Sequence, residues 1–186
     1  MIGYALTGSF CTHKRSLEVL RALADYGHEL LPIVSDCVYS TDTRFGTSSS
    51  LCEELKKITG KEIIHTVVDA EPLGPKIHLD AMIISPCTGN TLAKLARGIT
   101  DTPVTMAAKA HLRSNRPLVI ALCSNDALSA NLQSIGILLE RKHVYFVPLS
   151  QDDPKGKPHS LVCDFSLVHE TLKHALCGEQ VQPIFK

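Results

Sequence analysis

Apolar runs and polar breaks alternate along this chain in a rhythm that predicts strands followed by helices. Ile2 to Leu6 is a continuous apolar run, Thr7-Gly8-Ser9-Phe10-Cys11-Thr12 is a loop of mostly small residues, and Lys14 to Tyr26 carries Leu17, Leu20, Leu23 and Ala24 at helical spacing before Gly27 stops it. Leu30 to Val34 reads as a second strand. Ser35 to Ser50 is polar loop whose Ser48-Ser49-Ser50 cluster opens a helix over Leu51 to Ile58, ended by Gly60. Ile63-Ile64 marks a short third strand, and Pro72, Gly74 and Pro75 make the connection onward irregular.

The second half repeats the rhythm. Ala81 to Ile84, Leu118 to Leu122 and Val144 to Val147 read as strands, and Leu92 to Arg97, Val104 to Leu112, Leu128 to Leu139 and about Ser166 to Leu176 as helices. Continuous apolar strands alternating with helices imply a parallel sheet covered on both faces. The expected fold is therefore α/β: a doubly wound, Rossmann-like parallel sheet of about six strands, in a single domain over residues 1–186. Val104 to Leu112 has only Lys109 and His111 as ionisable groups, so it is expected to bury more than one face, as in a homo-oligomer.

Two loops carry ligand signals. Between the strand at Ala81 and the helix that follows, Ser85 to Asn90 must be a tight crossing, and Ser85, Thr88, Asn90 and Thr91 supply polar side chains where helix amides are unpaired. An alternative stays open, in which Asn90 or Thr91 only caps the helix and Pro86 only fixes the turn. The first loop places Gly8-Ser9 directly after a strand and before a helix, where the backbone approaches an anion closely and Ser9 and Thr12 add hydroxyls. It is neither G-x-G-x-x-G nor a Walker loop, and Gly8 could equally serve a tight turn.

Composition narrows the function. Nineteen basic and nineteen acidic residues cancel and no Lys/Arg run exceeds two, so neither nucleic acid nor an anionic membrane is an expected partner. The start, MIGYALTGSF, does not look like a signal peptide, and no segment approaches the ~18 apolar residues of a membrane span, which predicts a cytosolic protein. Cysteines at 11, 37, 52, 87, 123, 163 and 177 form no C-x-x-C pair, so free thiols are expected and no metal site. Cys11, Cys87 and Cys123 follow predicted strands; they either line one sheet edge or are buried as small hydrophobes.

TGSFCTHK, VSDCVYS and SPCTGNTLAKLARGITDTPVT together resemble the fingerprint of the FMN-binding flavoprotein family that includes cysteine-peptide decarboxylases and prenyl-FMN-forming enzymes. Gly8 and Ser9 match its phosphate-loop Gly-Ser, Ser35 its small hydroxyl after the second strand, and Pro86, Asn90 and Thr91 its P-A-S-A-N-T signature, with Thr88 replacing the serine. Lys94, Gly98 and Asp101 continue the match. The resemblance implies FMN as cofactor, held by Gly8, Ser9, Phe10, Lys14, Ser35, Pro86, Cys87, Thr88, Asn90 and Thr91, in trimers or larger assemblies.

The departures bear on mechanism. Where the decarboxylase branch has a catalytic histidine, the same count falls on Pro72; His65 and His78 are out of register and read as ordinary loop or strand-end residues. Of the substrate clamp expected near Leu122 to Asn125 only Asn125 matches, and an arginine of the prenyl-FMN branch is replaced by Ser124. Catalytic residues are thus unassigned. A closer likeness within the family implies a flavin-binding subunit that works with a dehydrogenase-like partner on an aromatising dihydropyridine acid; a non-catalytic subunit with a vestigial site is the alternative.

Overall fold

The computed structural model describes residues 1–74 and 76–186; of the irregular connection, Pro75 lies outside the described residues. In chain order the elements are β1 (Ile2–Leu6), α1 (His13–Asp25), β2 (Leu30–Val34), α2 (Asp36–Ser40), α3 (Ser48–Thr59), α4 (Val67–Ala70), β3 (Ala81–Cys87), α5 (Gly89–Arg97), α6 (Pro103–Leu112), β4 (Leu118–Ser124), α7 (Leu132–Leu139), β5 (Val144–Phe146), β6 (Leu149–Ser150), β7 (Leu161–Cys163) and α8 (Val168–Leu176).

Parallel pairing runs β2-β1-β3-β4-β5, and the carboxyl half of β4 turns away to pair with antiparallel β7, which carries antiparallel β6. The Rossmann-like sheet with helices on both faces is as expected, and it is mixed rather than wholly parallel. α1 and α8 pack on one face, and α5, α6 and α7 lie on the other. The short strand expected at Ile63-Ile64 is reduced to a single bridge between Ile33 and Ile64. The helix expected from Leu128 begins at Leu132, because Ser129 and Asn131 donate their amides to the Asp126 carbonyl in a turn.

Every residue of β1, β2, β3 and β4 is buried, which follows from their uninterrupted apolar sequences and cover on both sides. Tyr4 is wholly buried, and its hydroxyl donates to the Ser16 carbonyl at 2.9 Å while Ser16 Oγ donates to the Ser85 carbonyl at 2.6 Å. This chain of bonds ties α1 to β1 and β3, the strands that flank the ligand crevice. Burial pushes the Tyr4 phenol far above its ordinary range, so it remains a neutral donor.

The apolarity of α6 is spent inside the chain. It packs against α4, α5 and β2, β3 and β4, and Val104, Ala107, Ala108, Ala110 and His111 are all buried. The helix buries more than one face, as expected, and the faces described meet elements of its own chain, so its composition does not by itself require a second subunit. Among the described residues no helix is long and apolar enough to cross a membrane.

Candidate functional site

The chain leaves β1 toward β2 on one side and returns to β3 on the other, so the strand order reverses between β1 and β3. In an open α/β sheet that reversal parts the loops at the carboxyl ends and leaves a crevice. Here the loops are Thr7–Thr12 and the turn after Cys87, and the crevice is a cleft of about 790 Å³. That volume lies within the ~300–1,000 Å³ of typical cofactor sites.

One wall is the first loop. Ser9 and Thr12 close a short 3-10 turn in which the Thr12 amide donates to the Ser9 carbonyl at 3.0 Å and the Thr12 hydroxyl to the same carbonyl at 2.8 Å. Among the described residues the amides of Gly8, Phe10 and Cys11 have no hydrogen-bond partner. The opposite wall is the start of α5. Thr88 is its N-cap, taking the Thr91 amide on Oγ1 at 3.3 Å, and the amides of Gly89 and Asn90 are left unpaired as at any helix start. Free amides from both walls and the positive ends of α1 and α5 thus face one space, a donor set suited to a phosphate.

The expected residues divide by position. Gly8, Ser9, Phe10, Thr88, Asn90 and Asn125 all line the cleft. Asn90 and Asn125 are exposed, and neither side chain has a hydrogen-bond partner among the described residues. Pro86, Cys87, Thr91 and Ser35 are buried behind the walls. Thr91 accepts the Thr88 hydroxyl at 3.1 Å, and Ser35 Oγ lies 3.2 Å from Cys37 Sγ. The N-cap is Thr88, so the alternative that Asn90 or Thr91 plays that part is set aside. Lys14 points into a second groove of about 520 Å³, shared with Phe10, Arg21 and Glu54. Lys94 and Asp101 form an ion pair at 2.9 Å outside the cleft, and Gly98 takes the left-handed conformation that ends α5.

Other cleft residues lie outside the expected binding set. Arg15, Arg44, Cys123, Asp126, Asp152, Lys157 and Ser160 all reach it. Arg15 lies over the Phe165 ring at 4.6 Å, Arg44 over Phe45 at 4.9 Å, and neither has a carboxylate partner among the described residues. Lys157 pairs with Asp152 at 3.0 Å, and this hydrogen bond holds the Asp152 carboxyl below the usual carboxylate range. Asp126 accepts from Ser124 Oγ and, at 2.8 Å, from Asn131 Nδ2. A methyl group on Gly89 would fall 2.6 Å from Asp126 Oδ1 and 2.7 Å from Asn131 Nδ2, so a larger residue here would have to push these hydrogen-bonded side chains aside. The one sequence signal for Asp126 is its place beside Asn125; Lys157 has none, since its loop reaches the cleft only through the β4–β7 pairing.

No histidine lines the cleft among the described residues. His65 lies edge-on to Tyr39 at 3.8 Å, and His78 is exposed. His13 borders the second groove, its Nε2–H donating to the Thr7 carbonyl at 2.8 Å.

Comparison with known proteins bears on family and fold. Residues 1–169 match the family model described as Flavoprotein. The chain is 45% identical, over 98% of its length and 92% of the relative's, to the B subunit of dipicolinate synthase from Bacillus subtilis (strain 168). It superposes on the crystal structure of the B subunit of dipicolinate synthase from Bacillus halodurans with a TM-score of 0.91 and 43% identity, covering 100% of this chain and 95% of the other. The FMN-dependent cysteine decarboxylase SpaF shares the fold, with a TM-score of 0.66 at 22% identity over 94% of this chain and 95% of that one.

Proposed function

This chain belongs to the flavoprotein family, and from that premise we propose that it acts as the FMN-binding B subunit of a dipicolinate synthase. The observation that carries the reading is the convergence of unbonded amides from the Gly8–Cys11 loop and the start of α5 on one cleft. The residues fit the cofactor. The amides of Gly8, Phe10 and Cys11 with the Ser9 hydroxyl would hold its phosphate, and Thr88 and Asn90 the ribityl chain or the ring edge. Ser35, Pro86, Cys87 and Thr91 support those walls from behind, and Lys14 adds positive charge from the neighbouring groove. FMN, when bound, supplies a two-electron acceptor.

The substrate in this reading is dihydrodipicolinate, which loses two hydrogens on becoming the aromatic dicarboxylate. Arg15 and Arg44, free of carboxylate partners among the described residues, would orient its two carboxylates, with Asn125 at the same rim. Asp126 and Asp152 are the carboxylates available in the cleft to take a proton, Asp126 already positioned by Ser124 and Asn131. A free-standing decarboxylase is the weaker reading, because Pro72 replaces the family base and no histidine reaches the cleft among the described residues.

The partner is a dehydrogenase-like A subunit, and the setting is the mother cell of a sporulating bacterium. The chain assembles with copies of itself; a structural relative is described as dodecameric. Purification with and without the A subunit, followed by flavin absorbance and dihydrodipicolinate oxidation, tests the whole reading. Bound FMN with turnover only in the complex supports it. A colourless chain that still supports the A subunit would leave a structural role, and robust turnover by the isolated flavin-loaded chain would refute the subunit assignment.

A further inference from the structure

Cys123 in β4 and Cys163 in β7 stand on neighbouring antiparallel strands with their sulfurs 3.9 Å apart. They differ in outlook. Cys123 is part of the cleft wall, 5% exposed, while Cys163 is 2% exposed and lies behind it. Both are near the ends of their strands, Cys123 one residue before the end of β4 and Cys163 the last of β7. No other pair of cysteines approaches this closely among the described residues.

Their surroundings separate their chemistry. The Cys163 thiol and the Thr12 hydroxyl favour a thiolate at Cys123, and the Arg15 guanidinium adds positive charge, which together hold Cys123 below the ordinary thiol range. Burial and the neighbouring Cys123 push Cys163 well above it. The thiolate-prone sulfur therefore faces the cleft and the protonated one waits behind it, the arrangement of an attacking and a resolving cysteine.

We propose that Cys123 and Cys163 form a peroxide-reactive dithiol that closes to a disulfide at the floor of the cleft. The Cys123 thiolate attacks one oxygen of hydrogen peroxide, the O–O bond breaks, and Cys123 becomes a sulfenic acid while the released hydroxide takes up a proton as water. The Cys163 sulfur then attacks the Cys123 sulfur. An S–S bond forms, the S–O bond breaks, and the departing hydroxide carries off the Cys163 proton as a second water. Two thiols and one peroxide become one disulfide and two waters, with two electrons passing from sulfur to oxygen. This step needs neither FMN nor the A subunit, so it stands or falls apart from the function proposed above.

The test uses the full chain with the exposed thiols removed by Cys11→Ser, Cys37→Ser and Cys177→Ser, treated with hydrogen peroxide and mapped by mass spectrometry. The expected result is one dithiothreitol-reversible link between the peptides of Cys123 and Cys163. Cys123 should be consumed at least about tenfold faster than buried Cys87, whose thiol is pushed up by burial and, to a lesser degree, by the neighbouring Cys123. Cys163→Ser should leave Cys123 as a sulfenic acid trapped by dimedone, with Cys163→Ala in its place if the serine variant does not fold. A link to Cys52 or Cys87, both cysteines still free after peroxide, or no dimedone adduct on Cys123 in either variant would overturn the proposal.

Discussion

Thr7 clasps the two walls of the cleft: its Oγ1 donates to the Pro86 carbonyl at 2.8 Å and accepts the Thr88 amide at 2.9 Å. Its own amide reaches the same carbonyl at 3.2 Å, and the residue is 1% exposed. One hydroxyl thus sets the distance between the Gly-Ser loop and the start of α5. Thr7→Val keeps the shape and leaves the Thr88 amide unpaired. The expected loss is about 1–3 kcal/mol, read from the urea midpoint, with weaker flavin retention in the folded fraction.

Asn90 carries an exposed amide, without a protein partner among the described residues, at the rim of the cleft. Asn90→Leu should keep the urea midpoint within about 0.5 kcal/mol of the parent, as expected of an exposed site. FMN affinity should fall about tenfold, or roughly 1.4 kcal/mol. Urea titration and titration of flavin fluorescence check the two halves, and unchanged affinity would remove Asn90 from the site.

A negative charge beside the free amides of the first loop should repel a phosphate. Ser9→Asp is therefore expected to lower FMN affinity by about tenfold or more, worth at least ~1.4 kcal/mol. Riboflavin, which has no phosphate, should be affected far less. Equal losses for the two ligands would place the phosphate elsewhere.

Gly89→Ala forces a methyl group into the Ser124, Asp126 and Asn131 cluster. Overpacking of this kind costs about 1–3 kcal/mol. Because the cluster supports Asp126, turnover of the complex should fall even at saturating flavin. A variant with normal stability and normal turnover would show that α5 can shift freely, contrary to its tight contacts with this cluster.

His13 and His111 are buried, and burial holds both below the usual histidine range. His111 donates Nε2–H to the Pro117 carbonyl at 2.9 Å, and its Nδ1 has no partner among the described residues. The unfolded chain, with pKa values near 6.5, binds protons more readily than the folded one below that pH. Stability is therefore present in full above about pH 6.5 and falls as the pH drops toward the lowered folded values. Urea midpoints from pH 8 to 5.5 should decline below 6.5. A flat profile would mean that these rings protonate in place.

Sequence alone determined the strands β1 and β2 to the residue, because their apolar runs end at polar loops and are buried on both faces. The same reading placed Gly8, Ser9, Thr88 and Asn90 where strands meet helices, since loop position after a strand is a local property. Local pattern could not say which of two neighbouring residues faces a cleft. Arg15 reaches it while Lys14 enters the other groove, a difference of about 100° around one helix that only packing against Phe165 and Phe10 resolves.

The tertiary structure alone decided the far wall. β6 and β7 are too short to announce themselves by alternation, and they exist because β4 runs past β5 and leaves the backbone of Cys123 and Ser124 to be paired. That pairing, of Cys123 with Val162 and Ser124 with Leu161, brings Cys163, 40 residues away in sequence, to Cys123 and Lys157 with Asp152 to the cleft. Hydrogen bonds of such separation depend on the assembled sheet, so no local run of residues encodes them.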